Sequence, residues 1–375
     1  MNKLRLATVF SGIGAVEFAL KRLNINYKIV FACDNGEREI DYDHNLEYQK
    51  IKKLSSIKKK KEYVDNLYLA KTTKKNYVET SYLNNFNCPK SRYFQDICLL
   101  DGTDFTGKVD LLVGGSPCQS FSAIGCQNGL DDPRGNLFFE FTRLIKEIQP
   151  KVFIYENVRN LLNHNKGNTW KIVKNTFENL GYNLRYKILN SSDYGIPQTR
   201  RRLFVVGYKK DTDFDFSPIK KKLIYCLKDF AINHCKFGNF KYDEKGELVV
   251  CKQKGEIDSK YVLTPKIYNY VMKSGTKTWC QKPKINLKIA RTILKTMGNK
   301  HRAGVDNYLS FDGTKKLGSV RMLSEREAHR LMGFTDDYKI VVSMAQAYKQ
   351  AGNSIVVDVL MAIIRNILDA GLFNL

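Results

Sequence analysis

Apolar and polar positions follow two rhythms along most of the chain. Short continuous apolar runs read as buried strands: LRLATVF (4–10), YKIVFACD (27–34), VDLLVGG (109–115), KVFIYENV (151–158) and RRLFVVGY (201–208). Between and after them, VEFALKRL (16–23), RGNLFFEFTRLIKEI (134–148) and NTWKIVKNTFENLG (168–181) carry apolar residues at helical spacing. Strands alternating with helices predict an α/β fold, a doubly wound, mostly parallel sheet covered on both faces. Regular helix returns at SEREAHRLMGF (324–334) and SIVVDVLMAIIRNILDAG (354–371). Two stretches break the rhythm. Residues 41–92 are polar and basic, with Lys58, Lys59, Lys60 and Lys61 in a row, and predict a helical or partly mobile insertion. Residues 209–290 hold 18 lysines and no arginine, without βα alternation, and this change of composition predicts a second, smaller domain. The expected organisation is a first domain over 1–208 with the insertion at 41–92, a smaller domain over 209–320, and a return to the first over 321–375.

Composition narrows the class. With 43% hydrophobic residues in 375, the chain can bury a core, which excludes a disordered protein. No apolar run approaches the roughly 18 uncharged residues of a membrane helix, and the N-terminus lacks a small-residue cleavage site; neither a span nor a signal peptide is expected. Nine cysteines without any Cys-x-x-Cys spacing give no zinc signature and fit a reducing cytoplasm. A formal charge of +24 attracts polyanions, although a lysine-rich surface from an AT-rich genome would give the same excess.

Four clusters carry candidate chemistry. Phe10-Ser11-Gly12-Ile13-Gly14-Ala15 lies between a strand and a helix, where glycines let backbone approach a ligand and a helix N-terminus offers free N–H groups. Asp34 ends the second strand, where a ribose diol is commonly held, and Asp96 follows further on; the set suggests an adenosine-containing cofactor, while a plain tight turn explains the glycines as well. Gly114-Gly115-Ser116-Pro117-Cys118-Gln119-Ser120-Phe121-Ser122 follows a buried strand, and a cysteine in such a loop reads as a nucleophile rather than a core residue. Glu156 ends the strand VFIY, as either a cap or a general acid kept protonated by burial. In Gln198-Thr199-Arg200-Arg201-Arg202, alternation puts Arg200 and Arg202 on one face, suited to a phosphate, a carboxylate or a base carbonyl, or to a solvated basic edge.

FSGIGA, the acid after the second strand, QDI, PCQSFS, GLDDPRGNLF, ENV, QTRRR, RMLSEREAHRLMGF and QAGNSIVV occur in an order that resembles the DNA (cytosine-5)-methyltransferases, of the bacterial restriction–modification kind. The resemblance covers nearly the whole chain except about 41–92 and 209–285. It implies a Rossmann-like fold of class I S-adenosylmethionine-dependent enzymes. Phe10 would stack on the adenine of S-adenosylmethionine, and Ser11, Gly12, Gly14 and Ala15 would line its methionine end. Asp34 would hold the ribose, with a shorter reach than the glutamate more usual there. Asp96 and Ile97 would meet the adenine, Leu137 would close over the cofactor, and Pro117, Asn353 and Ser354 would complete the pocket.

Carried over in the same way, Cys118 would add to C6 of cytosine, Glu156 would hydrogen-bond N3, and Arg202, with Arg200 beside it, would hold O2. The base must be rotated out of duplex DNA. The loop from Ser116 to about Asn136 would be a lid, with a rigid turn as the other reading. The 209–320 region matches the family's target-recognition domain, with Thr292 and Ile293 near the flipped base. Gln119, Ser122 and Arg302 are further DNA-contact candidates, with Asn299, His301 and Asn307 as possible base readers or plain surface loop. Expected partners are double-stranded DNA and a cognate restriction endonuclease for a monomeric enzyme; no metal is implied. Rival readings are a tRNA cytosine-5 methyltransferase, a catalytically silent DNA-binding regulator and a nicotinamide dehydrogenase. The last leaves PCQ and ENV unexplained.

Overall fold

Five of the strands are the apolar runs, trimmed at their ends. The computed structural model describes residues 3–116, 137–210, 212, 214–216, 221–272, 283–298 and 301–373. The chain opens with β1 (Leu4–Val9), α1 (Ala15–Arg22) and β2 (Tyr27–Cys33). Three helices of the insertion follow: α2 (His44–Lys52), α3 (Ile57–Lys71) and α4 (Tyr77–Asn85). Next come β3 (Tyr93–Phe94), β4 (Leu111–Gly114), α5 (Leu137–Ile148), β5 (Val152–Val158), α6 (Asn168–Glu178), β6 (Asn183–Asn190) and β7 (Arg201–Tyr208). Beyond them lie α7 (Leu227–Phe230), β8 (Phe240–Tyr242), β9 (Leu248–Val250), α8 (Pro265–Met272), β10 (Tyr308–Ser310) and β11 (Val320–Met322). The chain closes with α9 (Glu325–Arg330), α10 (Met344–Asn353) and α11 (Val357–Asp369).

Seven strands form one sheet in the order β3-β2-β1-β4-β5-β7-β6. The first five are parallel, and β7 runs antiparallel to both β5 and β6. The order leaves β1 in one direction through β2 and β3, and in the other through β4 and β5. This makes a switch point between β1 and β4, with a crevice at the strands' carboxyl ends. Side chains alternate between two apolar layers. Leu4, Leu6, Leu111, Val113, Val152 and Ile154 face the layer shared with α1 and α11. Ala7, Val9, Leu112, Phe153 and Tyr155 face the layer shared with α5 and α6. Burial on both faces is why these strands read as continuous apolar runs.

The last helix returns to the first. Arg22 on α1 donates to both carboxylate oxygens of Asp358 on α11, at 2.9 Å each, and its Nε donates to the Gly246 carbonyl. All of the Arg22 and Asp358 side chains is buried to within 3%, so this fork ties α1, α11 and the β8–β9 turn in a dry interior. The stretch 344–369 is long and apolar enough to span a membrane on composition. It folds instead as two helices separated at Ser354, Ile355 and Val356, and packs in the core.

The insertion is helical throughout its three capped segments. Asp43, Ser56 and Asn76 accept hydrogen bonds from the first-turn amides of α2, α3 and α4. Its lysine run is only partly a solvated face. Lys60 pairs with Asp101 at 2.7 Å and Asp104 at 2.9 Å, and Lys61 pairs with Asp65, while Lys58 stays 84% exposed. In the 209–320 region, Leu263, Val271, Tyr308 and Val320 form a small apolar cluster of their own. Phe230, Phe240, Ala290 and Ile293 instead join the layer shared with α1 and α11.

Candidate active site

The turn after β1 is built from unusual backbone. Phe10 sits at φ +51°, Gly12 at +54° and Gly14 at +78°. A phenylalanine in the left-handed region costs roughly 1 kcal/mol or more, a strain typical of sites that present a side chain. Gly14 caps α1, and a Cβ there would collide with the ring of Phe86 from the inserted segment. Ser11 works as a structural pin: its hydroxyl accepts from the Cys33 amide at 2.9 Å and donates to the Thr8 carbonyl at 3.0 Å.

Asp34, at the end of β2, accepts the Gly12 amide at 2.9 Å on one oxygen and the Gly36 amide at 2.8 Å on the other. Burial raises its pKa, while those two N–H bonds pull the other way. Each oxygen keeps a lone pair for a further donor. Glu37, which the sequence reading passed over, sits three residues on. Lys349 at 2.8 Å, Lys295 at 3.5 Å and the Asn353 amide at 2.8 Å hold its carboxylate.

These residues line a cavity of about 300 Å³ that also takes in Phe10, Glu156, Arg200 and Arg202. A smaller hollow of about 50 Å³ against the same turn is lined by Ser11, Ala15, Glu156 and Ser354. The structure thus brings the β1 turn, the β2 acid, the end of β5, the start of β7 and the α10 terminus to one place.

Glu156 and Arg202 meet there, with Arg202 Nε 3.1 Å from Glu156 Oε1. Burial pushes the Glu156 carboxyl above its ordinary range, against the pull of the Arg202 and Arg200 charges. Gly115 passes so close that a Cβ would lie 2.8 Å from the Glu156 carbonyl oxygen. The backbone leading to Cys118 is fixed by a buried network. Asn157 Nδ2 donates to the Ser116 carbonyl at 3.0 Å and to the Tyr155 hydroxyl at 2.9 Å, and that hydroxyl meets Ser116 Oγ at 2.7 Å. Pro117, Cys118, Gln119, Ser122, Asn299 and the expected lid lie outside the described residues.

Four expectations need correction. Asp96 does not line the cavity: its carboxylate faces the insertion and accepts the hydroxyls of Tyr42 at 2.7 Å and Tyr68 at 2.9 Å and the Cys98 amide at 2.9 Å. Ile97 is buried in the apolar layer, where its carbonyl accepts from Arg143. Arg200 touches the cavity wall, but its guanidinium is spent on the carbonyls of Ile293 at 3.0 Å, Gly352 at 3.0 Å and Ser354 at 2.8 Å. That makes it a strut between the QTRRR segment, the 290–293 segment and α10, leaving one buried Nε without a partner. Asn307 is a clamp, not a base reader, with its amide on the Arg291 backbone at 2.8 and 3.1 Å.

The remaining candidates have clear places. Leu137 starts α5 and packs with Phe10 against the α5/α6 layer. Thr292 Oγ1 donates to the Thr199 carbonyl at 2.6 Å, and the Ile293 amide to Gln198 Oε1 at 2.8 Å, so the Thr-Ile segment is strapped to QTRRR. Gln198, the first residue of QTRRR, is fully buried and bridges backbone, its Nε2 donating to the Leu331 carbonyl at 2.7 Å; the motif marks its place but not this bracing role. Arg302 is held by Thr296 at 2.5 Å and faces Asp306 at 3.8 Å.

Solved structures share this architecture. A methyltransferase from S. pombe, Dnmt2, superposes with a TM-score of 0.66 over 98% of this chain and 99% of that one, at 17% identity. A putative DNA modification methyltransferase from an E. coli prophage superposes with a TM-score of 0.62 over 98% and 99%, at 20% identity. The fold is therefore that of the class I methyltransferases, with its cavity at the switch point of the sheet. Residues 62–369 match the C-5 cytosine-specific DNA methylase family, and the chain belongs to that family. Type II methyltransferase M.HhaI of Haemophilus parahaemolyticus is 37% identical over 69% of this chain and 75% of its own length. Type II methyltransferase M.SsoII of Shigella sonnei is 34% identical over 73% and 67%.

Proposed function

We propose that the enzyme takes S-adenosylmethionine into the cavity and methylates C5 of a cytosine rotated out of duplex DNA. One observation carries this reading. The Glu156–Arg202 pair, suited to a pyrimidine edge, and the Phe10–Asp34 wall, suited to a nucleoside, open into the same cavity.

When bound, the donor supplies an electrophilic methyl on a sulfonium sulfur and leaves as S-adenosylhomocysteine. The protein's own task is to make C5 nucleophilic. The Cys118 thiolate adds to C6, and the electron pair displaced from the C5–C6 bond is drawn toward N3 and O2. Glu156, protonated, donates to N3, and Arg202 donates to O2, so charge is met where it develops. C5 then forms its bond to the methyl as the sulfonium C–S bond breaks. Loss of the C5 proton to a base and elimination of the Cys118 sulfur from C6 restore the ring. Asn157 and Ser116 are placed to aim the nucleophile's loop, and Phe10, Asp34 and Asn353 to seat the donor. The charge of +24 favours a phosphate backbone, at a strength that falls with salt.

We assign target recognition to 209–320, with Thr292, Ile293, Arg302, Gln119 and Ser122 toward the DNA. The setting we favour is a monomer protecting a site that a partner endonuclease cuts; the relatives' names as Type II methyltransferases support the restriction–modification part of it. Methyl incorporation from labelled donor into duplex DNA, set beside incorporation into tRNA, tests the substrate. Transfer to duplex is expected, and transfer to tRNA alone would overturn the reading.

A further inference from the structure

We propose that Tyr77, supplied by the inserted segment, is a wall of the donor site and carries part of the donor's binding by stacking on its purine. The inference rests on the S-adenosylmethionine reading above.

Tyr77 and Phe10 line the same cavity. Tyr77 is 39% exposed. Among the described residues its ring has no aromatic neighbour and its hydroxyl no hydrogen bond. A large flat side chain left open toward a cavity with a ribose-type acceptor is what a planar heterocycle needs on one face.

The ring is not on a loose loop. Asn76, just before it, donates to the Asp34 carbonyl at 2.8 Å and accepts the Val78 and Glu79 amides at 3.1 and 3.0 Å. Gln350 on α10 donates to the Tyr77 carbonyl at 2.9 Å and accepts from Ser81 Oγ at 2.8 Å. The start of α4 is thereby tied to the loop that carries Asp34 and to the helix that carries Asn353. A wall fixed before the ligand arrives lowers the ordering cost of binding.

Asp96 gives an independent reason to look here. With two tyrosine hydroxyls and an amide on its carboxylate, it is committed to the insertion, so purine contacts fall to other residues. The same insertion that occupies Asp96 delivers Tyr77.

Calorimetric titration of S-adenosylhomocysteine into the full-length protein tests this. Tyr77→Ala and Tyr77→Leu should weaken binding at least about fivefold, the lower end of what base–aromatic stacking is worth, and Tyr77→Phe should stay within about twofold. The Michaelis constant for the donor should rise in the Ala and Leu variants, and that for duplex DNA should not. Wild-type affinity in the Ala and Leu variants, or an equal loss in the Phe variant, would overturn the role of the ring. If the wild-type protein itself binds no S-adenosylhomocysteine, the donor reading fails instead.

Discussion

Two glutamates, one at the cavity wall and one in the core, both hold a proton more tightly than an exposed one. Glu156 stands at the cavity with its pKa raised by burial, so it holds a proton at pH values where an exposed glutamate has lost it. As an N3 donor it should work below that raised pKa, and methyl transfer should decline as pH climbs through it. Glu156→Gln keeps the shape without the acid; kcat should fall about 10²- to 10⁴-fold, with S-adenosylhomocysteine affinity unchanged in the same preparation. Glu17 lies under the glycine turn, fully buried, accepting from the Tyr82 hydroxyl at 2.6 Å and the Thr8 hydroxyl at 3.1 Å. Burial lifts its pKa from 4.5 to about 7 against those bonds. Between these values the unfolded chain gives up the proton and the folded one keeps it, so stability falls as pH rises and levels off above the folded pKa. The loss amounts to about 3 kcal/mol. Denaturant unfolding of Glu17→Gln across this window should show that slope removed; an unchanged slope would assign it elsewhere.

Elements are legible where burial is uniform and hidden where it is not. β1, β2, β4, β5 and β7 are apolar on both faces, so most of the parallel part of the sheet and the antiparallel β7 could be read directly. β6, NLRYKILN, carries no continuous apolar run; it alternates Leu184, Tyr186 and Ile188 with polar residues, the pattern of an edge strand, with Tyr186 43% and Ile188 41% exposed. β3 is two residues long, below any periodic signal. The insertion gave no clear stripe because much of its packing is polar, through Lys60, Lys61, Tyr42 and Tyr68 on carboxylates. At the site, glycine turns and the QTRRR pattern carry marks of their own. Asp96 misled because a motif gives a residue's place in the chain and not the hydroxyls a local insertion brings to it. The α1–α11 fork is also invisible in sequence, since Arg22 and Asp358 are far apart along the chain. Arg22→Ala leaves Asp358 buried and unpaired, and should cost about 3–5 kcal/mol in denaturant unfolding. A loss below about 1 kcal/mol would mean that α11 is held by its apolar face alone.

At the scale of the molecule, the insertion and the C-terminal helices pack on the same apolar layer as the sheet and line the same cavity. Phe86 covers Gly14, Asn76 holds the Asp34 loop, and Arg200 joins β7 to the 290–293 segment and to α10. The cavity is closed by pieces from both ends of the chain and from between them. On the function proposed above, this assembly serves a thiolate at Cys118 that forms a bond with an extruded cytosine. A duplex carrying 5-fluorocytosine at the target position tests that bond most directly, because fluorine at C5 blocks the final elimination. Incubated with S-adenosylmethionine, the wild-type enzyme should form a denaturation-resistant adduct that peptide mass spectrometry places on Cys118, and Cys118→Ala should form none. A wild-type enzyme that methylates ordinary duplex yet leaves no adduct on the fluorinated one, or an adduct on another residue, would contradict the account.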